Sequence, residues 1–596
     1  MTEPRTIPEM FLGRVRRSGT DDAVFVKRDG QWSARSWSQL EEDIRSLARG
    51  IGEWVAPGDN VALLSENRPE WWIADLTILS LGAVSAAIYP TNPRKDTAYI
   101  LNDCGAKLLF VSTEEQLDNI RALKADGELP MLERVIILDD VNAAEDWVTT
   151  LCQAQARGTD APDPVDERLA AIDPEGLATL CYTSGTTGEP KGVMLSHRNI
   201  VSNVMGAHAI VDALDFAGER LLLSFLPLSH SFERTVGYYG AIELGFKVAF
   251  AEDITTLLAN FSEIRPTMLV SVPRIYEKVY AKVMGSTTGV RRKLLLWALD
   301  VGKEYARYDI AGQPVPAGVR LRYRLAARLV FSKMHAKLGG RLRYAVSGSA
   351  PLAVEVAEFL NAIGLRVYEG YGLSETSPVL TANQPGKVKV GSVGVPWPGA
   401  EIRVEPEPGR DGEGEILARG PGIMLGYYNK PEATAEVLNE DGWLRTGDIG
   451  FVDNEGFLFI TDRKKELIKT AGGKYVAPQP IENALKVHPL VEQAVVIGDR
   501  RKYCVALLVP SFEALTHVMG PLPQDRDALN DPTVMAEYQR LVDEVNRDLG
   551  RWEQIKRFSL LSQEMTQDTG ELTPTLKVKR RVVDEKFKDI IDSLYD

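Results

Sequence analysis

The sequence is poor in cysteine and histidine, which limits the chemistry it can support. Its 596 residues include six histidines without metal-ligand spacing and four cysteines that form no CxxC pair, Cys104, Cys152, Cys181 and Cys504. This pattern argues against a disulfide framework and against a structural zinc site. Scattered, reduced thiols are typical of the cytoplasm, and we expect that location.

An excess of basic charge is also missing. The chain has 69 Lys and Arg against 83 Asp and Glu, a formal net charge of −14. Proteins that bind nucleic acid normally carry a basic excess that neutralises phosphates. We therefore expect no nucleic acid partner.

Long hydrophobic runs are absent as well. The start, MTEPRTIPEMFLGRVRR, contains no apolar core of the kind that a secretory signal needs. The most membrane-like window, residues 71–90, is interrupted by Asp75, Gly82 and Pro90. It predicts a buried helix that ends near Gly82, followed by a strand from Val84 to Ile88. The sequence favours neither export nor a membrane span.

What the chain has instead is an alternation of β-rich runs, such as VALLS, KLLFVS, RVIILD and KVAFAE, with helical stretches. This pattern predicts an α/β protein with parallel-rich sheets covered by helices, and the length exceeds what one core usually organises. Near Asp462 the chain becomes charged and glycine-punctuated, and the later runs QAVVIGD and VALLVP are typical of a compact α+β unit. We predict a large N-terminal domain over residues 1–461 and a small C-terminal domain over 462–596.

One loop stands out, YTSGTTGEPKG at residues 182–192. It follows an apparent buried strand, LATLCY, and its glycines and hydroxyls can direct several donors toward one anion, with a lysine adding charge. Its spacing differs from that of the Walker A motif, and the next helix is predicted only near Ser196. A glycine-rich loop is also typical of a surface turn. The candidate phosphate-binding residues are Thr183, Ser184, Gly185, Thr186, Thr187, Gly188 and Lys191.

The string YTSGTTGEPKGV closely resembles the phosphate loop of the acyl-adenylate-forming superfamily, which includes acyl-CoA synthetases, luciferases and peptide-synthetase adenylation domains. Further strings follow in the family's order over nearly the whole chain: YEGYGLSET, GSVGVPWPG, GEGEILARGPGIMLGYYNKPEAT, GWLRTGDIG, DRKKELIKTAGGKYV and LTPTLKVKRR. The resemblance implies that a carboxylic acid attacks the α-phosphorus of ATP. Because both reactants are anions, such catalysis depends on charge neutralisation and positioning.

The resemblance also implies roles for individual residues. Glu375 corresponds to the magnesium ligand, and Thr376 to the residue that bonds the α-phosphate. Tyr371 corresponds to the aromatic that stacks on adenine, in a base pocket that also includes Glu369, Gly348 and Ser349. Asp448 would accept hydrogen bonds from the ribose hydroxyls, with Arg463 beside it.

Two half-reactions are implied by the resemblance. Lys577 corresponds to the lysine that bridges the carboxylate and the α-phosphate during adenylation. The small domain then rotates about a hinge at Lys465, and the acyl group passes to the thiol of CoA. The strip beside the thiol channel would contain Gly472, Gly473 and Lys474, where glycine allows a close approach of the backbone.

The strings LPLSHSFER and VSVPRIYEK resemble the long-chain fatty acyl-CoA synthetase branch. His230 would lie where the acyl and nucleotide sites meet, although a lone histidine can also be structural. We expect Mg²⁺ as cofactor and a long-chain fatty acid, ATP and CoA as substrates. Two alternatives are a fatty acyl-AMP ligase that delivers to a carrier protein and a non-catalytic module that binds nucleotide or fatty acid. The oligomeric state stays open.

Residues 288–340 carry eleven Lys or Arg and three Asp or Glu, a local charge of +8 in an acidic chain. Together with the apolar runs LLLWAL and LAARLVF, this indicates a pair of basic amphipathic helices separated by AGQPVPAG. One interpretation is peripheral binding to an anionic membrane, at its inner face. The other is a solvated face on a packed helical hairpin.

Overall fold

Two large sheets, mostly of parallel strands, form the centre of the protein. The computed structural model describes residues 3–142, 145–183, 189–285, 287–407, 412–464, 466–472, 474–519, 529–567, 569–573 and 577–596. Within these ranges one sheet has nine strands, in the spatial order Val395–Pro396, Val379–Ala382, Arg366–Gly372, Tyr344–Ser347, Met268–Ser271, Leu221–Ser224, Lys247–Phe250, Asp22–Arg28 and Gln31–Ser36. The other has eight, in the order Gly426–Tyr427, Lys191–Ser196, Leu177–Thr183, Val84–Ile88, Asn60–Leu64, Leu108–Val111, Arg134–Ile137 and Val148–Thr150.

Burial explains why the sequence forms strands and helices where it does. Val84–Ile88 is made of small and apolar residues, and all five are buried, as expected for a parallel strand covered on both faces. It follows the helix Pro69–Ser80, in which all twelve residues are buried. The prediction for residues 71–90, a buried helix and then a strand, is confirmed.

Helices pack on these sheets along most of the chain. The described α-helices are Ile7–Ser18, Trp37–Ile51, Pro69–Ser80, Arg94–Cys104, Glu114–Ala125, Leu151–Arg157, Val165–Ala171, His197–Met205, His208–Asp212, Gly240–Leu244, Leu257–Ile264, Pro273–Gly285, Gly289–Ile310, Ala317–Ala326, Ser332–Lys337, Val354–Ala362, Pro431–Val437, Pro478–Lys486, Phe512–Met519, Pro532–Asn546, Arg580–Lys586 and Lys588–Ser593. Wider π-helical turns occur at Glu233–Tyr239 and Ala327–Phe331, and a 3₁₀ turn at Ser374–Thr376.

Smaller sheets follow toward the C-terminus. A four-stranded antiparallel sheet consists of Glu401–Pro406, Gly414–Arg419, Leu444–Val452 and Leu458–Arg463. Beyond it lie a two-stranded sheet, Ile468–Lys469 with Tyr475–Val476, and a three-stranded sheet, Val491–Ile497, Cys504–Pro510 and Ile555–Leu560. The last sheet has its own buried core around Val496, Leu508 and Tyr538.

The predicted fold class, parallel-rich sheets with helices and a small α+β unit, is confirmed. The boundary near Asp462 stays a prediction. Within the part of the chain that the structure describes, no helix combines the length and the apolar character needed to cross a membrane.

Candidate active site

A cavity of about 590 Å³ lies where the carboxyl ends of the central strands approach the C-terminal segment. Residues from widely separated parts of the chain line it, including Thr183, Gly348, Glu375, Arg463 and Lys577. In open α/β sheets this end of the strands is the usual place for a ligand. The cavity is therefore the candidate active site.

The predicted phosphate loop connects two strands of a hairpin. Leu177–Thr183 pairs antiparallel with Lys191–Ser196, and Thr183 lies directly opposite Lys191. Both residues line the cavity, and the Lys191 Nζ lies 4.8 Å from the ring centroid of Tyr427. Ser196 caps the helix that follows, His197–Met205, so the late helix start is confirmed. Ser184, Gly185, Thr186, Thr187 and Gly188 lie outside the described residues.

The segment YEGYGLSET forms another part of the cavity wall, and its turn Ser374–Thr376 contacts the hairpin strand Lys191–Ser196. Glu375 lines the cavity, and its Oε1 accepts a hydrogen bond of 2.9 Å from the Tyr427 hydroxyl. Gly372 is required for close packing, because a Cβ there would lie 1.6 Å from the Pro378 carbonyl oxygen. The backbone turn therefore presents the Glu375 carboxylate to the cavity.

Tyr371, Asp448 and Arg463 form one hydrogen-bonded group at the cavity wall. The Tyr371 hydroxyl donates to Asp448 Oδ2 at 2.7 Å, and Arg463 Nε donates to Asp448 Oδ1 at 2.9 Å. Asp448 is buried, whereas Tyr371 and Arg463 line the cavity. Since both carboxylate oxygens are held, Asp448 is fixed in position.

The predicted base pocket is partly assembled. Gly348 and Ser349 line the cavity, while Glu369 is buried behind the wall and accepts a hydrogen bond from the Leu352 amide at 3.2 Å. Burial raises the pKa of Glu369 to about 8. This carboxyl group therefore holds the turn that contains the two small residues.

Lys577 and His230 lie on the wall of the same cavity. Lys577 keeps exposed surface within the cavity, but the protein around it partly excludes water. This desolvation, followed by repulsion from Arg463, lowers its pKa to about 8. Burial, followed by repulsion from Lys577, lowers the pKa of His230 to about 3. The Phe232 amide donates to His230 Nδ1 at 3.1 Å, so the proton of the neutral ring is assigned to Nε2.

Other predicted residues do not line the cavity. Thr376 is fully buried, and its hydroxyl donates to the Pro378 carbonyl while accepting from the Leu373 amide. The structure therefore does not bring Thr376 to the cavity wall, and its contact with the α-phosphate stays a prediction. Gly472 and Lys474 are also absent from the lining, and Lys474 lies over the Trp552 ring. Lys465 and Gly473 lie outside the described residues.

The structure adds residues that the sequence did not indicate. Tyr427 contacts both Glu375 and Lys191, and Glu466 lines the cavity near Lys577. Tyr427 belongs to the string GIMLGYYNKPEAT, so the family motif contained a signal for it. Nothing in the sequence near Glu466 distinguishes it from neighbouring charged residues.

An apolar lobe extends from the cavity along one face of the nine-stranded sheet. Strand register places Leu222 beside Met268, and Val270 beside Val346, two residues further toward the carboxyl ends. Phe246, just before the strand Lys247–Phe250, forms the other end. The remaining apolar residues of the lobe include Ala207, Ile210, Val211, Leu214, Val236 and Leu244. This lobe is suited to an extended hydrocarbon chain.

Comparisons with known proteins agree with this arrangement. Residues 13–428 match the family model described as AMP-binding enzyme, and residues 465–596 match the model of the AMP-binding enzyme C-terminal domain. This chain belongs to the AMP-binding enzyme family. The resemblance inferred from the motifs is thus confirmed.

Curated members of the family match almost the full chain. The long-chain-fatty-acid–CoA ligase FadD15 of Mycobacterium bovis is 39% identical over 589 residues, which cover 96% of this chain and 95% of the relative. The long-chain-fatty-acid–CoA ligase ACSBG2 of Xenopus laevis is 33% identical over 628 residues, covering 99% of this chain and 84% of the relative.

Solved structures of adenylate-forming enzymes share the fold. An anthranilate CoA ligase, AuaEII, in complex with anthranoyl-AMP has a TM-score of 0.75 at 20% identity, with 99% of both chains covered. The A domain of a carboxylic acid reductase from Segniliparus rugosus, in complex with AMP, has a TM-score of 0.76 at 23% identity, with 99% of this chain and 94% of that chain covered.

Proposed function

We propose that this protein activates a long-chain fatty acid with ATP and transfers the acyl group to CoA. In the first step a carboxylate oxygen attacks the α-phosphorus, and the bond to pyrophosphate breaks. In the second step the CoA thiolate attacks the acyl carbon, and AMP leaves. The identities of 39% and 33% to proteins named as long-chain-fatty-acid–CoA ligases support this proposal.

The observation that carries the proposal is the continuity of one cavity. Its polar part is lined by Thr183, Lys191, Glu375, Arg463 and Lys577. The apolar lobe is part of the same cavity and opens into this polar part. A substrate with a carboxylate at one end and a long hydrocarbon chain would place each end in a matching environment.

The length of the lobe supports a long acyl chain. From Gly348 to Phe246 the lobe spans six residue steps along the strands, or about 20 Å at roughly 3.3 Å per residue. One residue of a strand contains three backbone bonds and advances about 3.3 Å. We use the same value, about 1.1 Å per bond, for an extended acyl chain. The lobe therefore accommodates about 18 bonds, which matches a long-chain acid.

Lys577 and His230 both line the cavity, and in this proposal both assist adenylation. A charged Lys577 offsets the repulsion between the carboxylate and the α-phosphate as they approach. The neutral His230 lines the cavity with Nδ1 already occupied, so its Nε2 proton would donate to the substrate carboxylate. Arg463, Asp448 and Tyr371 hold the nucleoside.

Glu375 offers a hard oxygen ligand for Mg²⁺, which usually takes its remaining ligands from water and substrate phosphates. No group of three or more His, Cys, Asp or Glu arranged for a metal occurs among the residues described by the structure, and this fits a site completed by ATP. When bound, Mg²⁺ would reduce the negative charge of the phosphates. We propose Glu375 as the protein ligand.

The second half-reaction requires the C-terminal segment to move. Lys464 is held by the preceding part of the chain, through Glu407 at 2.7 Å, Glu415 at 3.1 Å and the Gly447 carbonyl at 2.9 Å. The Glu466 amide still donates to the Arg463 carbonyl at 3.0 Å, but its side chain lies 3.7 Å from Arg580 of the C-terminal segment. The side-chain contacts thus change from the preceding part of the chain at Lys464 to the C-terminal segment at Glu466, which supports the proposed hinge between them. Rotation would withdraw Lys577 and bring Gly472, Gly473 and Lys474 to the thiol channel.

The proposal is tested by following pyrophosphate and thioester formation with palmitate, ATP and Mg²⁺, with and without CoA. We expect sustained turnover to palmitoyl-CoA and AMP only when CoA is present. Pyrophosphate without thioester would favour the ligase that delivers to a carrier protein. Binding of ATP without turnover of any acid would contradict the proposal and favour a binding module.

We further propose that residues 288–340 bind an anionic membrane surface. This segment forms the predicted helical pair, Gly289–Ile310 and Ala317–Ala326. Leu321, Leu325 and Leu329 are 70%, 50% and 45% exposed and recur every fourth residue, so they form one stripe. Arg320, Arg324 and Arg328 form the adjacent stripe. Among the residues that the structure describes, no Asp or Glu forms an ion pair with Arg324 or Arg328.

Reversing four charges, Arg320, Arg324, Arg328 and Lys333 to glutamate, is expected to abolish cosedimentation with vesicles of phosphatidylserine and phosphatidylcholine. Each basic residue near such a surface contributes about 1 kcal/mol. A variant with the same net charge, in which the exposed residues Arg94, Arg157, Arg198 and Arg540 are reversed instead, should bind like the wild type. Equal binding by both variants would show that the hairpin is only a solvated face.

A further inference from the structure

Gly240 borders the apolar lobe at a place where helical neighbours contribute apolar side chains. Val236 and Leu244, four residues before and after it, both line the cavity. Gly240 and Leu244 lie about one turn apart in the helix Gly240–Leu244, and Val236 lies about one turn before Gly240 in the wider π-helical turn Glu233–Tyr239, so the three positions form one stripe along the lobe. The middle of the stripe has no side chain.

The backbone conformation does not require glycine here, and a side chain would crowd only one backbone oxygen, which would have to shift by a few tenths of an ångström. Gly240 begins the helix Gly240–Leu244 with a helical φ of −62°, which any residue adopts. A Cβ at Gly240 would meet only the Thr235 carbonyl oxygen, at 3.1 Å. By contrast, a Cβ at Gly237 would lie 2.5 Å from the Glu233 carboxyl carbon. Close packing therefore explains the glycine at position 237.

Because Gly240 itself lines the cavity and a Cβ there would have no other neighbour within 4 Å, we infer that a side chain at this position would extend into the lobe. Leu244 lies one helical turn further on, about 6 Å along the helix axis. It approaches the floor of the lobe, where Phe246 packs edge-on against Phe216 with ring centroids 5.2 Å apart. A large side chain at position 240 would close the lobe about one turn above this floor.

We propose that Gly240 sets the maximum acyl chain length, because its missing side chain leaves the distal part of the lobe open. This inference rests on the proposed function, since it assumes that the lobe binds the acyl chain. A leucine at position 240 would remove about 6 Å of usable length, which corresponds to about five bonds of an extended chain. The accepted acids would then be shorter by that amount.

The test compares kcat/KM for saturated acids from octanoate to stearate in the wild type, Gly240→Leu and Gly240→Ala. For Gly240→Leu we expect kcat/KM for palmitate to fall about 100-fold, while kcat/KM for decanoate stays within about threefold of the wild-type value. Retained activity on decanoate also shows that the variant is folded. Gly240→Ala should lower the ratio of kcat/KM for palmitate to kcat/KM for decanoate by a smaller factor. If the leucine variant does not fold, the alanine variant tests the inference.

Gly13→Leu is the matched control, because Gly13 lies in the helix Ile7–Ser18 with only the tip of Arg17 within 4 Å. Its chain-length profile should equal that of the wild type. If the wild type turns over palmitate and the folded Gly240 variants keep its profile, the inference is wrong and the proposed function stands. If the wild type turns over no acid, both are wrong.

Discussion

Replacing Lys577 by alanine is expected to slow adenylation by about 100- to 1000-fold, the effect typical of removing one preorganised charge-stabilising group. Lys577 lines the cavity together with Arg463 and Glu375, and in the proposed function its charge offsets the repulsion between two anions that approach each other. Pyrophosphate release with saturating palmitate and ATP measures this step. In contrast, thioester formation from preformed palmitoyl-AMP and CoA should stay within about threefold of the wild type.

The pH dependence provides the control for this prediction. With a pKa lowered to about 8, Lys577 is charged below pH 8 and loses its charge above it. We expect kcat/KM for ATP to fall about tenfold per pH unit above 8. Lys577→Arg should keep part of the activity and remove this decline, because arginine stays protonated. His230, with a pKa near 3, stays neutral from pH 5 to 9. A decline that persists in Lys577→Arg would show that another group titrates.

Replacing Arg234 by methionine is expected to lower the free energy of unfolding by about 3–5 kcal/mol. Arg234 and Asp75 are almost fully buried and form an ion pair. Arg234 also donates to Thr179 at 2.6 Å, and Tyr239 donates to Asp75 at 2.7 Å. The substitution would leave the Asp75 carboxylate buried without its counter-ion. Urea denaturation followed by tryptophan fluorescence measures the loss.

Two further variants test this interpretation. Asp75→Asn combined with Arg234→Met should cost less than the sum of the single changes, because the double variant leaves no isolated charge. Arg419→Met breaks the exposed pair with Glu401 and should cost no more than about 1 kcal/mol. Additive losses for the buried pair would mean that its ion pairing contributes little and that the cost comes from lost packing.

Local patterns predicted much of the fold. The alternation of strands and helices was recognisable because each run is short, apolar and bounded by turn residues, as in Val84–Ile88. The strand Lys191–Ser196 after the phosphate loop was not predicted. Its residues, KGVMLS, become a strand mainly because they pair with Leu177–Thr183 and Gly426–Tyr427. Six residues are too few to show a clear hydrophobic period, and the sequence of one segment does not show which distant segments it will pair with.

The candidate site was predicted residue by residue from motifs, but side-chain direction was not. Thr376 and Glu375 are neighbours in one motif, yet Glu375 faces the cavity and Thr376 points into the turn toward Pro378. The geometry of that turn decides which of the two side chains is accessible. For the same reason, Tyr427 became a candidate only when the structure placed its hydroxyl on Glu375.

By itself the sequence determined the fold class and the family, and it supplied the candidate nucleotide residues, because these depend on the order of residues within short segments. Only the tertiary structure decided the shape of the acyl lobe and the position of Gly240 in its wall. The lobe is built from Ile210, Leu222, Phe246 and Met268, which belong to separate helices, loops and strands. Their alignment results from crossover connections and strand register, and no short segment of the chain encodes either.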